Sequence, residues 1–201
     1  MTEKPAASNE IWNAPNIITM SRLGISIGVF ACIELDLFVA ATICFVVAAG
    51  TDWLDGYLAR KYNQVTKLGR ILDPFADKIL ICGAFILIAV AMADKPYYLY
   101  GIQGWMAVVI IGREILVTAL RGFIEQSGGD FSANFAGKLK MVFQCVAVVT
   151  CLLVLEYDSS VLGLSWIKDW IMPISVWVAV LSTIQSGVGY IFAVAKQLRT
   201  V

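Results

Sequence analysis

Asp52-Trp53-Leu54-Asp55-Gly56-Tyr57-Leu58-Ala59-Arg60 and, a few polar residues later, Gly69-Arg70-Ile71-Leu72-Asp73-Pro74-Phe75-Ala76-Asp77 set four carboxylates into an otherwise apolar chain. Asp52 and Asp55 are three residues apart, and Asp73 and Asp77 are four apart. On an α-helix either spacing puts both side chains on one face, with Cβ atoms about 5–6 Å apart. Two such helices joined by a short polar turn can close a cage of carboxylate oxygens. Donors of this hardness and charge suit divalent cations such as Mg²⁺ or Mn²⁺. Asp52, Asp55, Gly56 and Ala59 follow the i, i+3, i+4, i+7 stripe of one helix face. Gly69, Asp73 and Asp77 follow i, i+4, i+8 on the next. Each acidic pair therefore lies beside a position with little side chain, which leaves space for a bulky phosphate ligand.

The rest of the chain supplies the setting. It has 201 residues, of which 59% are hydrophobic and 15% charged, and its mean hydropathy is +0.78. A soluble domain averages about 25% charged. Several apolar runs approach the roughly 20 residues needed to span a bilayer. The expected fold is all-α: a polytopic membrane protein with six transmembrane helices and a polar cavity open to the cytoplasm. The spans are expected near residues 16–33, 37–60, 70–93, 102–126, 137–155 and 167–195. Residues 1–15 are read as a cytoplasmic N-terminal segment, and 16–201 as one six-helix domain. The first 15 residues have no apolar core and carry Glu3 and Glu10, so the first apolar run is expected to remain as an anchor.

Charge sets the orientation. With six spans, Lys4, Lys61, Lys67, Arg70, Lys138, Lys140, Lys196 and Arg199 share one side, against Lys95 and Lys168 on the other. This bias places both termini and the acidic motif in the cytoplasm, in a cell (inner) membrane. Tyr97, Tyr98, Tyr100, Trp105, Trp166 and Trp170 flank the outer loops as an aromatic belt would. The balanced net charge suggests no nucleic-acid partner. The chain has no histidine, which excludes a Ser-His-Asp triad and a phosphohistidine intermediate. Its five cysteines lie in apolar runs at no metal-ligand spacing and read as small hydrophobes. Gly24, Gly28, Gly83, Gly187 and Gly189 read as sites of close helix packing.

The pattern Asp-x2-Asp-Gly-x2-Ala-Arg-x8-Gly-x3-Asp-x3-Asp, from Asp52 to Asp77, resembles the signature of the CDP-alcohol phosphotransferase family of membrane enzymes. These enzymes move a phosphatidyl group from a CDP-linked lipid to an alcohol and release CMP. The resemblance implies that Asp52, Asp55, Asp73 and Asp77 bind two Mg²⁺ or Mn²⁺ ions, and that Asp77 is also the general base toward the acceptor hydroxyl. It implies that Gly56, Arg60, Thr66 and Gly69 serve the nucleotide of CDP-diacylglycerol. Pro15-Asn16-x2-Thr19-x2-Arg22 resembles the family's N-terminal segment, so Asn16 and Thr19 are expected to frame the nucleotide site. The family usually forms homodimers.

Some of these residues have plainer alternatives. Asp73 before Pro74 fits a helix N-cap, and Asn16 and Thr19 also suit helix capping. An ion-pair cluster with Arg60, Arg70 or Lys78 would account for the carboxylates. Arg60 can snorkel to the interface. The second half bears on the acceptor. Gly112-Arg113-Glu114-Ile115-Leu116, Leu120-Arg121 and Gly137-Lys138-Leu139-Lys140 resemble the phosphatidylglycerophosphate-forming branch, which uses sn-glycerol 3-phosphate. Met141 departs from that branch, where Thr often follows the second Lys. Arg113, Arg121, Lys138 and Lys140 are the candidate ligands of the acceptor phosphate, with Lys138 favoured over Lys140. Arg121 with Glu125, and Arg113 near Glu114, are alternative ion pairs. Inositol phosphate, serine or phosphatidylglycerol as acceptor, and a cation transporter with a carboxylate site, are the competing functions.

Overall fold

The computed structural model describes the backbone of residues 14–62, 69–126, 135–157 and 166–198, and the side chains of residues 17, 19–51, 72, 75–122, 139–157 and 166–195. Among the described residues all regular structure is helical. The α-helices are α1 Ala14–Glu34, α2 Phe38–Tyr62, α3 Gly69–Met92, α4 Gly104–Gln126, α5 Phe135–Glu156 and α6 Met172–Leu198. Four segments are long and apolar enough to cross a bilayer: Phe75–Met92, Tyr98–Gly122, Leu139–Glu156 and Ile167–Ala195. In α2 the apolar run Phe38–Thr51 is shorter, because the acidic motif begins at the next residue. The structure therefore supports a helical membrane protein more coarsely than the expected six spans.

The chain divides into two compact units, Met1–Leu87 and Ile88–Val201, and the division falls inside α3. In the first unit α1 packs along α2. The turn between them is closed by a left-handed residue, Asp36, at φ 56°. The Leu37 amide donates to the Cys32 carbonyl at 2.8 Å and the Asp36 amide to Ile33 at 3.1 Å. These bonds satisfy carbonyls that the end of α1 would otherwise leave unpaired. Thr19, Arg22, Ser26, Val29 and Ile33 form the buried stripe of α1, and Phe38, Ala41, Phe45 and Ala48 that of α2. Gly83 of α3 lies so close to the Phe30 ring of α1 that a Cβ there would collide with it.

In the second unit α6 packs between α4 and α5. The buried Gln144 amide donates to the Thr183 hydroxyl at 2.9 Å and ties α5 to α6. Before α6 the chain makes one π turn, Ile167–Ile171, in which the Met172 amide donates to the Ile167 carbonyl. The cause is local: Pro173 has no N–H and its ring crowds the carbonyl four residues back, so the turn widens. The Lys168 ammonium sits 5.9 Å from the centre of the Tyr97 ring. Tyr97 is buried, unlike the exposed Tyr100, Trp105, Trp166 and Trp170, so it packs rather than joining an interfacial belt.

Ile27, Ile43, Val90, Val108, Ile115 and Phe192 point outward. Large apolar surfaces of this kind are rare on soluble monomers and suit a lipid solvent. Of the glycines expected to pack closely, Gly83 and Gly187 do so. Gly24, Gly28 and Gly189 do not: a Cβ at any of the three would have no neighbour within 4 Å.

Candidate active site

The acidic motif occupies two continuous helices. Asp52, Asp55, Gly56 and Arg60 lie in α2, and Gly69, Asp73 and Asp77 lie in α3. The helical register expected for each carboxylate pair is therefore present in the backbone. α3 begins at Gly69, so Asp73 and Pro74 are inside it, and Asp73 is not its N-cap. Pro74 is the sixth residue of α3, so its missing N–H forgoes one intrahelical bond, to the Arg70 carbonyl, within the first two turns. The side chains of Asp52, Asp55, Gly56, Arg60, Gly69, Asp73, Asn16 and Lys138 lie outside the described residues, as does Thr66 altogether.

The Asp77 side chain is among those described. Its Oδ1 accepts a hydrogen bond from Arg22 Nη1 at 3.0 Å, across from α1 to α3. Arg22 is completely buried, while the Asp77 side chain keeps 26% of its surface exposed. The catalytic candidate is thus paired with a residue of α1, a partner that the ion-pair alternatives Arg60, Arg70 and Lys78 did not include. The sequence held the signal: Thr19, Arg22 and Ser26 recur at helical spacing on one face. That face is buried, and Thr19 on it is 2% exposed, inside α1 rather than at its cap. A carboxylate oriented by an arginine, in a helix with another carboxylate four residues before it, has the hard donor chemistry a divalent cation requires.

The second unit gathers the cations. Arg113, on α4, is 9% exposed. Its Nη1 donates to Glu114 Oε1 at 3.3 Å and its Nη2 donates to the Ser186 hydroxyl of α6. Glu114 Oε1 also accepts from the Lys140 ammonium of α5. Arg121, two turns further along α4, donates from Nη2 to the Tyr190 hydroxyl of α6 at 2.9 Å. The guanidinium carbons of Arg113 and Arg121 lie 5.7 Å and 5.8 Å from the centre of the same Tyr190 ring. Both Nε atoms are buried and have no hydrogen-bond partner among the described residues.

Three of the expected acceptor ligands, Arg113, Arg121 and Lys140, therefore occur in the described part of this unit, in one connected polar network. Glu114 joins it through the ion pair with Arg113 that the sequence offered as an alternative, and Ser186 and Tyr190 join it without having been expected as members. The proximity of Glu114 to Arg113 in sequence gave a hint of one pair. Ser186 and Tyr190 gave none, because only folding brings α6 against α4.

The profile of the CDP-alcohol phosphatidyltransferase family matches residues 12–184. The chain is 35% identical to a CDP-diacylglycerol--glycerol-3-phosphate 3-phosphatidyltransferase of Bacillus subtilis, over 94% of this chain and 99% of that one. It is 31% identical to the protein of the same name from Blochmanniella floridana, over 94% of each. The crystal structure of a Mycobacterium tuberculosis phosphatidylinositol phosphate synthase with CDP-DAG bound superposes with a TM-score of 0.60 at 16% identity, covering 92% of this chain and 87% of that one. That likeness concerns the fold. The helical register of the acidic motif, the length of the profile match and the near-complete coverage of the relatives agree: this chain belongs to the CDP-alcohol phosphatidyltransferase family.

Proposed function

We propose that this protein transfers the phosphatidyl group of CDP-diacylglycerol to sn-glycerol 3-phosphate, forming phosphatidylglycerophosphate and CMP. The observation that carries the choice of acceptor is the cation network. Among the described residues Arg113 and Lys140 pair with Glu114, while Arg121 bonds the neutral Tyr190 hydroxyl, so the unit gathers cationic side chains from α4 and α5. A phosphate monoester carries about −1.5 to −2 near pH 7, and guanidinium groups match its oxygens in fork geometry. Serine and phosphatidylglycerol bring no such dianion. Inositol phosphate does, and is the competing acceptor. Lys138 is assigned to the same phosphate.

Asp52, Asp55, Asp73 and Asp77 are assigned as the carboxylates that would hold two divalent ions, Mg²⁺ or Mn²⁺, which when bound would offset diphosphate charge and make the acceptor hydroxyl more acidic. Asp77 takes the proton of that hydroxyl. The acceptor oxygen becomes bonded to the lipid-side phosphorus, and the bond from that phosphorus to CMP breaks. Arg22 donates to Asp77 Oδ1 and so helps to fix the orientation of that carboxylate. Asn16, Thr19, Gly56, Arg60, Thr66 and Gly69 are assigned to the nucleotide of the lipid donor. The site faces the cytoplasm of a six-span, inner-membrane homodimer. The Lys/Arg bias supports that orientation, and family membership supports the pairing of two copies.

One assay tests this reading. Purified protein with Mg²⁺ and labelled CDP-diacylglycerol is offered glycerol 3-phosphate, inositol phosphate, serine and phosphatidylglycerol in turn. CMP release with glycerol 3-phosphate alone is expected. In sealed vesicles, external glycerol 3-phosphate should be consumed only when the cytoplasmic face is outward. CMP release with inositol phosphate instead would reassign the acceptor, and use from the opposite face would invert the topology.

A further inference from the structure

The cation network poses a physical problem. Arg113 and Arg121 start about 12 Å apart along α4, carry like charge, and yet converge on one side chain of α6. That side chain is Tyr190, itself only 6% exposed. Its ring lies within 6 Å of both guanidinium carbons, at 5.7 Å and 5.8 Å. Its hydroxyl accepts from Arg121 Nη2 at 2.9 Å. An aromatic ring attracts a cation through its quadrupole without adding a charge. An acidic residue at this place would hold both arginines more firmly, but would cancel positive charge that a phosphate ligand needs.

We propose that Tyr190 is the positioning residue of the acceptor-phosphate site, a neutral ring that sets the spacing and direction of Arg113 and Arg121 while leaving their charge available to a phosphate monoester. Two further features fit this role. Glu114 engages Arg113 Nη1 and Lys140, and Ser186 engages Arg113 Nη2. The Nε of each arginine remains buried and without a partner among the described residues, the condition of a donor whose acceptor arrives with the ligand. Gly187 lets this happen: a Cβ there would lie 3.0 Å from Arg113 Cγ, so α6 has a gap where the arginine stem passes on its way to Tyr190.

The inference rests on the proposed acceptor, and the experiment separates the two. Wild-type protein, Tyr190→Phe and Tyr190→Leu are assayed in detergent with Mg²⁺, varying glycerol 3-phosphate and CDP-diacylglycerol separately, with inorganic phosphate as a competitor. The Phe variant keeps the ring and loses the hydroxyl, so KM for glycerol 3-phosphate is expected to rise roughly two- to fivefold. The Leu variant loses both, and a rise of roughly five- to thirtyfold is expected. In both, kcat and the KM for CDP-diacylglycerol stay within about twofold, and inorganic phosphate inhibits more weakly by a similar factor. An unchanged KM for glycerol 3-phosphate in Tyr190→Phe removes the hydroxyl from the role, and in Tyr190→Leu overturns the proposal. A parallel loss for both substrates also overturns it, since a merely structural residue would behave so. Should the Leu variant not fold, Tyr190→Met, which also lacks both ring and hydroxyl, takes its place under the same criteria. Absence of CMP release by the wild-type protein with glycerol 3-phosphate refutes the acceptor assignment instead.

Discussion

Arg22 and Asp77 show how one contact constrains both stability and chemistry. Arg22 is fully buried and its guanidinium meets Asp77 at 3.0 Å. A buried charge that loses a partner costs several kcal/mol, and the charge left behind when Asp77 is neutralised is Arg22, at 0% exposure. Asp77→Asn therefore does two things at once. It removes the proposed base, and it weakens the anchor of α1 on α3. We expect CMP release to fall by at least about a hundredfold, with CDP-diacylglycerol binding still measurable by titration. Retained turnover would remove Asp77 as the base, whereas loss of both turnover and binding would point to collapse of the helix pair. The motif spacing alone identified Asp77. It did not identify its partner, because residues 55 apart in sequence have no register in common until the helices pack. Tyr190 and Ser186 were illegible for the same reason: an aromatic and a small hydroxyl on an apolar helix look like ordinary packing.

At the scale of elements, apolar run length located all six helices to within a few residues, since each run fixes where a chain in lipid must satisfy its own backbone. Departures come from local stereochemistry. Pro173 shifts the regular start of α6 to Met172 by forcing the π turn before it. Asp36, a non-glycine residue at φ 56°, closes α1 onto α2. Helix packing also depends on single hydrogen-for-methyl choices. Gly83→Ala would drive a Cβ into the Phe30 ring. Overpacking costs about 1–3 kcal/mol, against about 1 kcal/mol gained from helix propensity. We expect a lower Tm in detergent for Gly83→Ala. Gly24→Ala, which meets nothing within 4 Å, should hold Tm or raise it. Equal behaviour of the two variants would show that Phe30 yields freely and that the contact does not brace α1 on α3.

For the whole molecule, composition and charge asymmetry made the solvent readable and gave an orientation to test, and the motif made the family readable. Neither reveals which distant groups neutralise one another, and that has a consequence for biogenesis. An arginine in the middle of a spanning helix costs about 2.5–3.5 kcal/mol to insert, and Arg22 in the proposed first span meets the Asp77 carboxylate only when residue 77 has been made. At about 5–20 residues per second the ribosome needs roughly 3–10 s to cover that distance. During this interval the nascent α1 must stay beside the translocon or snorkel its guanidinium to the headgroups. Chains truncated just before α3 should accordingly be extracted from membranes by alkaline carbonate more readily than chains ending after Met92, and Asp77→Leu in the longer chain should restore the loss. If truncation changes nothing, α1 is stably inserted on its own and the late-arriving carboxylate serves only the finished enzyme.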